Sequence, residues 1–233
     1  MSNITFKKGN IFQSDKQTIV NTINCVGVMG KGIALGFRLR YPEMYEKYKE
    51  FCSNKQIAIG KLWLYKPDNS GQWILNFPTK IHWKYPSKIE YIEAGLQKFV
   101  DSYDEKGIAS IAFPLLGTYN GGLDKIEVLN LMHSYLEKCN IPIDIYEYAP
   151  DAPDELFETF KNKWNLISSS EKKQMGIRAN QIEVLDKAIN ETSICSMNSL
   201  SEYNGIGLLT LRKCFDIVLD YKQQSTLNLK GTK

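Results

Sequence analysis

One pattern, met twice along the chain, constrains the fold more than any other feature. A short, strongly apolar run is followed by a glycine-rich loop and then by a stretch with helical periodicity. The first copy is Ile19-Val20-Asn21-Thr22-Ile23, the loop Asn24-Cys25-Val26-Gly27-Val28-Met29-Gly30-Lys31-Gly32, and the run Ile33 to Arg40. The second is Ile108 to Leu116, the loop Gly117-Thr118-Tyr119-Asn120-Gly121-Gly122-Leu123-Asp124, and the run Glu127 to Lys138. Buried strands that alternate with helices predict an α/β fold, a sheet sandwiched between helices and wound by crossover connections.

The rest of residues 1–150 fits that scheme. Pro42 is placed to open a helix, with Met44, Tyr45, Tyr48 and Phe51 on one side. Lys61 to Lys66 and Gln72 to Phe77 read as two β segments joined by the turn Asp68-Asn69-Ser70-Gly71. Ile89 to Tyr103 has helical spacing, and Ile141 to Tyr148 is a last strand. The expected division is a first domain over residues 1–164, a linker over 165–176 around Ser168-Ser169-Ser170-Glu171-Lys172-Lys173, and a small helical domain over 177–233 with a disordered tail after Gln224. Within the last part, residues 198–203, Gly205-Ile206-Gly207 and Leu208 to Leu219 have the outline of a helix-turn-helix.

Composition excludes several classes. The 233 residues suffice for one medium domain plus something small, and a net charge of +3 does not imply a general nucleic-acid coat. Five scattered cysteines, no Cys-x-x-Cys and two histidines argue against a zinc site, so neither metal nor cofactor is expected. The N-terminus lacks a basic region followed by an apolar one, and no run approaches the ~18 apolar residues of a membrane span. A reduced, cytoplasmic protein with no membrane association is the expectation.

A glycine loop between a strand and a helix aims backbone N–H groups and the positive helix end at one point, which suits a phosphate. Loop one is not a Walker A loop, because Gly32 stands where Ser or Thr should be. It is not a Rossmann fingerprint either, because Pro42 begins a helix where a second strand is required. Either loop alone could be a ligand-free turn. Two at the carboxyl ends of strands could face each other over a diphosphate.

Gly9-Asn10-Ile11, Ile19 to Asn24 and the two loops fall in the order of a macro domain, and over residues 1–150 the chain resembles that family. Asn76-Phe77-Pro78-Thr79-Lys80 with His82-Trp83 is similar to the segment that carries the catalytic lysine of the DarG antitoxins, and Gly122-Leu123-Asp124 resembles the aspartate site of the human terminal ADP-ribose glycohydrolase. The resemblance implies that Asn10 and Ile11 hold the adenine. Most members have Asp before the apolar residue, so Asn10 is a departure that bears on adenine recognition. It implies further that Asn21 and Asn24 border the distal ribose, and that Val28, Gly30, Lys31 and Gly32 wrap the diphosphate and ribose with Gly117, Thr118, Tyr119, Asn120, Gly121 and Gly122. Tyr148 is a candidate for stacking near the adenine. Lys80 and Asp124 are the implied catalytic pair. Lys80 could act as a cation that helps to expel the leaving group or as a free amine that attacks the opened sugar, and Asp124 could shuttle the proton. An acid that simply opens a helix is the other reading of Asp124.

The run Lys80-Ile81-His82-Trp83-Lys84-Tyr85-Pro86-Ser87-Lys88 interleaves bases and aromatics. His82, Trp83 and Lys84 are candidate contacts to single-stranded nucleic acid, unless the aromatics pack inward. The implied function is a glycohydrolase that removes ADP-ribose from DNA bases as antitoxin to a DNA-modifying toxin, which the C-terminal segment would bind. Open alternatives are a protein-directed hydrolase, an ADP-ribose 1″-phosphate phosphatase, a non-catalytic reader, and a C-terminal segment that binds operator DNA.

Overall fold

The computed structural model describes residues 3–68 and 71–219. The turn expected at residues 69–70 and the tail beyond residue 219 lie outside them. The chain divides into two compact units, Met1–Ala149 and Pro150–Lys233.

The first unit is a six-stranded sheet in the order β1-β6-β5-β2-β4-β3, made of β1 (Ile4–Gly9), β2 (Thr18–Asn24), β3 (Trp63–Tyr65), β4 (Trp73–Lys80), β5 (Ile111–Pro114) and β6 (Ile143–Tyr148). All neighbours run parallel except β3, which pairs antiparallel with β4. Helices α1 (Gly32–Arg40) and α2 (Pro42–Ser53) cover one face, and α3 (Ile89–Val100) and α4 (Lys125–Leu136) the other. The two-residue period of the strands makes this possible. Val20, Leu75, Phe77, Phe113 and Ile145 point to the α3/α4 side, and Ile19, Ile23, Ile74, Ala112 and Tyr146 to the α1/α2 side.

Two contacts set the spacing of these layers. A Cβ on Gly95 of α3 would lie 2.1 Å from the Phe77 ring, so only glycine lets the helix come this close. At the sheet edge, buried Asp144 of β6 receives Lys7 of β1 at 2.7 Å and Lys16 at 3.1 Å. That pairing ties the outermost strand to its neighbour and neutralises a buried carboxylate.

The second unit contains α5 (Glu155–Leu166), α6 (Ser169–Gln174), α7 (Ala179–Ala188), α8 (Met197–Glu202) and α9 (Leu208–Leu219). Two expectations need correction here. Residues 155–164 belong to this unit rather than the first: Trp164 is fully buried and donates from Nε1 to Asp186 of α7 at 2.7 Å, while Lys163 donates to the last carbonyls of α9. The supposed linker is helical, because Ser168 and Glu171 cap each other's backbone and start α6. Lys172 is buried with its ammonium 4.0 Å from the Trp164 ring centre and 3.8 Å from Asp186, which a solvated linker residue would not be. The helix–turn–helix outline is present as α8, the Gly205–Gly207 turn and α9.

Candidate active site

The strand order explains why residues far apart in sequence meet. β1, β6, β5, β2 and β4 are consecutive and parallel, so their carboxyl ends form one continuous rim. Along it lie Asn10 and Ile11 after β1, Tyr148 ending β6, loop two after β5, loop one after β2, and Lys80 ending β4. Ligands of open α/β sheets bind at this rim.

Loop one is fixed by its own polar groups. Asn24 donates from Nδ2 to the Val28 carbonyl at 2.5 Å and accepts from the N–H groups of Val26 and Val28 at 3.0 and 3.4 Å. Tyr48 of α2, fully buried, donates to the Asn24 carbonyl at 2.7 Å. Met29 is buried and its carbonyl receives Arg38. The backbone of Gly30, Lys31 and Gly32 then enters α1 with no side-chain cap on its first N–H groups. Those donors, at the positive end of the helix, are the part of loop one suited to an anion. Asn24 thus shapes the loop.

Asn21 lies deeper in the sheet. Its side chain is fully buried and donates to Asn76 of β4 at 2.9 Å, with Met29 and Met44 packed on the pair. It braces β2 against β4 behind the loop.

Lys80 owes its position to an irregularity. The register runs Ile23↔Pro78 and then Asn24↔Lys80, leaving Thr79 as an extra residue in β4. A bulge re-aims the residue after it. Pro78 is tolerated because β3 pairs only with Ile74, Leu75 and Asn76. The Lys80 ammonium donates to the Asn120 carbonyl of loop two at 2.5 Å. Burial lowers its pKa below the ordinary lysine range, as a nucleophilic amine requires.

Loop two is a tight turn. Gly122 N–H donates to Thr118 at 2.5 Å and Leu123 N–H to Gly117 at 3.1 Å, while Thr118 is buried and its hydroxyl donates to Leu115. A Cβ on Gly121 would fall 2.0 Å from the Gly117 carbonyl oxygen, so no other residue fits. The Asn120 side chain reaches loop one, where a Cβ on Gly32 would stand 2.7 Å from its Nδ2. Tyr119 donates to the Tyr148 carbonyl at 3.1 Å, and the two rings meet edge to face at 6.2 Å. This pair forms an aromatic wall on the side of the rim where Asn10 and Ile11 lie. Asn10 is nearly buried and caps a short 3-10 turn by accepting from Phe12 N–H at 3.1 Å, and Ile11 is buried beside it.

Asp124 is the N-cap of α4. One carboxylate oxygen accepts from the N–H groups of Ile126 and Glu127, both at 2.9 Å. It makes no ion pair with Lys80 among the described residues. The structure brings Lys80 together with Asn120 and both loops, and leaves Asp124 at the start of the helix that follows.

The segment after Lys80 faces outward. Trp83 and Tyr85 are 50% and 65% exposed, which removes the inward-packed reading. His82 stacks on Trp83 at 5.7 Å and lies 5.5 Å from Tyr85, and the Lys84 ammonium sits 5.3 Å from the Trp83 ring centre. The strap is pinned at both ends: the Ile81 carbonyl accepts from Cys25 of loop one, and Ser87 N–H donates to Gly121 of loop two. Sequence reasoning missed Tyr48, Asn76 and Ser87. Tyr48 was legible as a core position of α2. Ser87, buried with its hydroxyl unpartnered beneath Gly121, carries no local signal.

Comparison with known proteins agrees with this fold. The family model described as "Macro domain" matches residues 20–132. The chain is 42% identical over 157 residues to a DNA ADP-ribosyl glycohydrolase of Mycobacterium tuberculosis, covering 66% of this chain and 44% of that one. It is 39% identical over 161 residues to a DNA ADP-ribosyl transferase–DNA ADP-ribosyl glycohydrolase fusion protein of Thermosipho africanus, covering 62% and 42%. It therefore spans less than half the length of these relatives. The solved macrodomain of Mycobacterium tuberculosis DarG superposes with a TM-score of 0.60 at 43% identity, over 63% of this chain and 98% of that one. Thermosipho africanus DarTG, solved with ADP-ribose, gives 0.61 at 39% identity, over 64% and 42%. By this match to the family model and to a solved macrodomain, the chain belongs to the macro domain family.

Proposed function

We propose that the chain is an ADP-ribosyl glycohydrolase that releases ADP-ribose from a modified base of single-stranded DNA, and that it acts as antitoxin to a DNA ADP-ribosyltransferase. The observation that carries the reading is the juxtaposition at the end of β4. A lysine with a burial-lowered pKa lies beside a strap whose aromatics face solvent. Exposed rings beside a cation suit unstacked bases and their phosphates. The names of the relatives from Mycobacterium tuberculosis and Thermosipho africanus support the same chemistry.

In this reading the diphosphate lies on the α1 N-terminus between the two loops, the adenine lies toward Ile11 and Tyr148, and the distal ribose reaches Lys80. The C1″–O4″ bond opens as O4″ takes up a proton and the base nitrogen lends its lone pair to C1″, and the free amine of Lys80 then adds to C1″ and gives up a proton. The bond from C1″ to the base nitrogen breaks as the base takes up a proton, leaving an imine between C1″ and Lys80. Water adds to that imine, ADP-ribose departs, and the amine is restored. The second oxygen of Asp124 is the proposed proton carrier. His82, Trp83 and Lys84 hold the DNA strand, and the second unit is the proposed site for the toxin.

The test is incubation of the protein with an ADP-ribosylated oligonucleotide beside Lys80→Ala, with loss of the modification followed by gel shift. Release by the native chain alone supports the reading. ADP-ribose binding without release from DNA would overturn it in favour of a protein-directed enzyme, a 1″-phosphatase or a reader.

A further inference from the structure

We propose that Asn120 is the gate of this site, closing loop two onto loop one across Gly32 and holding Lys80 in place from the same residue. The inference rests on the ADP-ribose reading above and adds to it a specific moving part.

Three observations converge on this residue. Its backbone carbonyl accepts from the Lys80 ammonium. Its side-chain amide lies over the Cα of Gly32, at the first turn of α1, so closely that a methyl group there would stand 2.7 Å from it. One residue therefore joins the proposed nucleophile to the loop that would hold the diphosphate. Third, everything around Asn120 is pinned. Thr118 and Gly122 are bonded to each other, Gly117 to Leu123, and Gly121 to Ser87. Gly121 also has no free space, because Gly117 and the Ser87 hydroxyl crowd its Cα. With the turn stiff on both flanks, the Asn120 side chain is the part free to swing, and such rotations need no loop rearrangement.

The consequence is mechanical. A diphosphate entering between the loops must displace the carboxamide from Gly32, so both entry and departure of ADP-ribose pass this side chain.

The experiment is stopped-flow binding of etheno-ADP-ribose to the full chain and to Asn120→Ala and Asn120→Gln. Asn120→Ala should raise association and dissociation rates together by about tenfold, with a smaller change in Kd. Asn120→Gln, which keeps the amide, should restore slow exchange. Unchanged rates in an Asn120→Ala variant that still binds would overturn the gate and leave the hydrolase reading intact. Failure of the native chain to bind the probe would overturn the ADP-ribose reading instead.

Discussion

Tyr48 reaches from α2 through the core to donate its hydroxyl to the Asn24 carbonyl at 2.7 Å, with the Asn24 side-chain oxygen 3.1 Å away. A helix on one face of the sheet thereby holds the loop at its rim. Tyr48→Phe keeps the ring and deletes the donor, leaving a buried carbonyl short of a partner. It should cost about 1–3 kcal/mol in urea unfolding and weaken ADP-ribose binding in calorimetry. Unchanged binding would mean that loop one holds its shape through Asn24 alone.

Lys80 offers a test of chemistry by sign. Burial favours its uncharged form, so the free amine should be present at lower pH than for an ordinary lysine of pKa ~10.4. Activity should rise with pH along a limb whose midpoint lies below that value. Borohydride added during turnover should trap ADP-ribose on the native chain. Lys80→Arg, which keeps a cation but no nucleophile, should lose roughly 100-fold or more in rate and trap nothing. Retained activity in Lys80→Arg would assign the residue an electrostatic role.

Asp124 holds two candidate duties that a pair of substitutions separates. Asp124→Ala removes the cap of α4 and should cost about 1 kcal/mol of stability. Asp124→Asn keeps an acceptor for the N–H groups of Ile126 and Glu127 but cannot carry a proton. A rate loss in Asp124→Asn at unchanged melting temperature would place the carboxylate in the reaction. Full activity would make it a cap only.

The strap should matter to the carrier and not to the sugar. Trp83→Ala removes a half-exposed ring, so stability should change by less than about 0.5 kcal/mol. Binding of an ADP-ribosylated oligonucleotide should weaken by about 1–3 kcal/mol while free ADP-ribose binds as before. Equal weakening of both ligands would place Trp83 in the ADP-ribose site itself.

Much of this fold was legible because its signals are local. The loop glycines, Pro42 at the head of α2 and the apolar periodicity of α3 and β5 each mark an element without help from elsewhere. β1 stood out less, because it lies at the sheet edge with Thr5 and Phe6 exposed and owes its place to pairing with β6 at the far end of the unit. The partner of Asn21 was hidden for a related reason. Its bond to Asn76 is set by inter-strand register, which no local pattern encodes. Helix α5 was placed with the wrong unit because its amphipathic pattern says that it packs, and not against what.

Pro78 has a consequence for solubility as well as for geometry. Beyond Asn76 the outer edge of β4 has no strand beside it among the described residues, at the very place where the rim opens. An unpaired edge invites another chain to add a strand. A proline there supplies no N–H, and the extra residue at Thr79 breaks the even spacing that a new strand would need to match. The sequence that aims Lys80 thus also makes the mouth of the site a poor template for self-association, so the rim can stay uncovered without becoming a nucleus for aggregation.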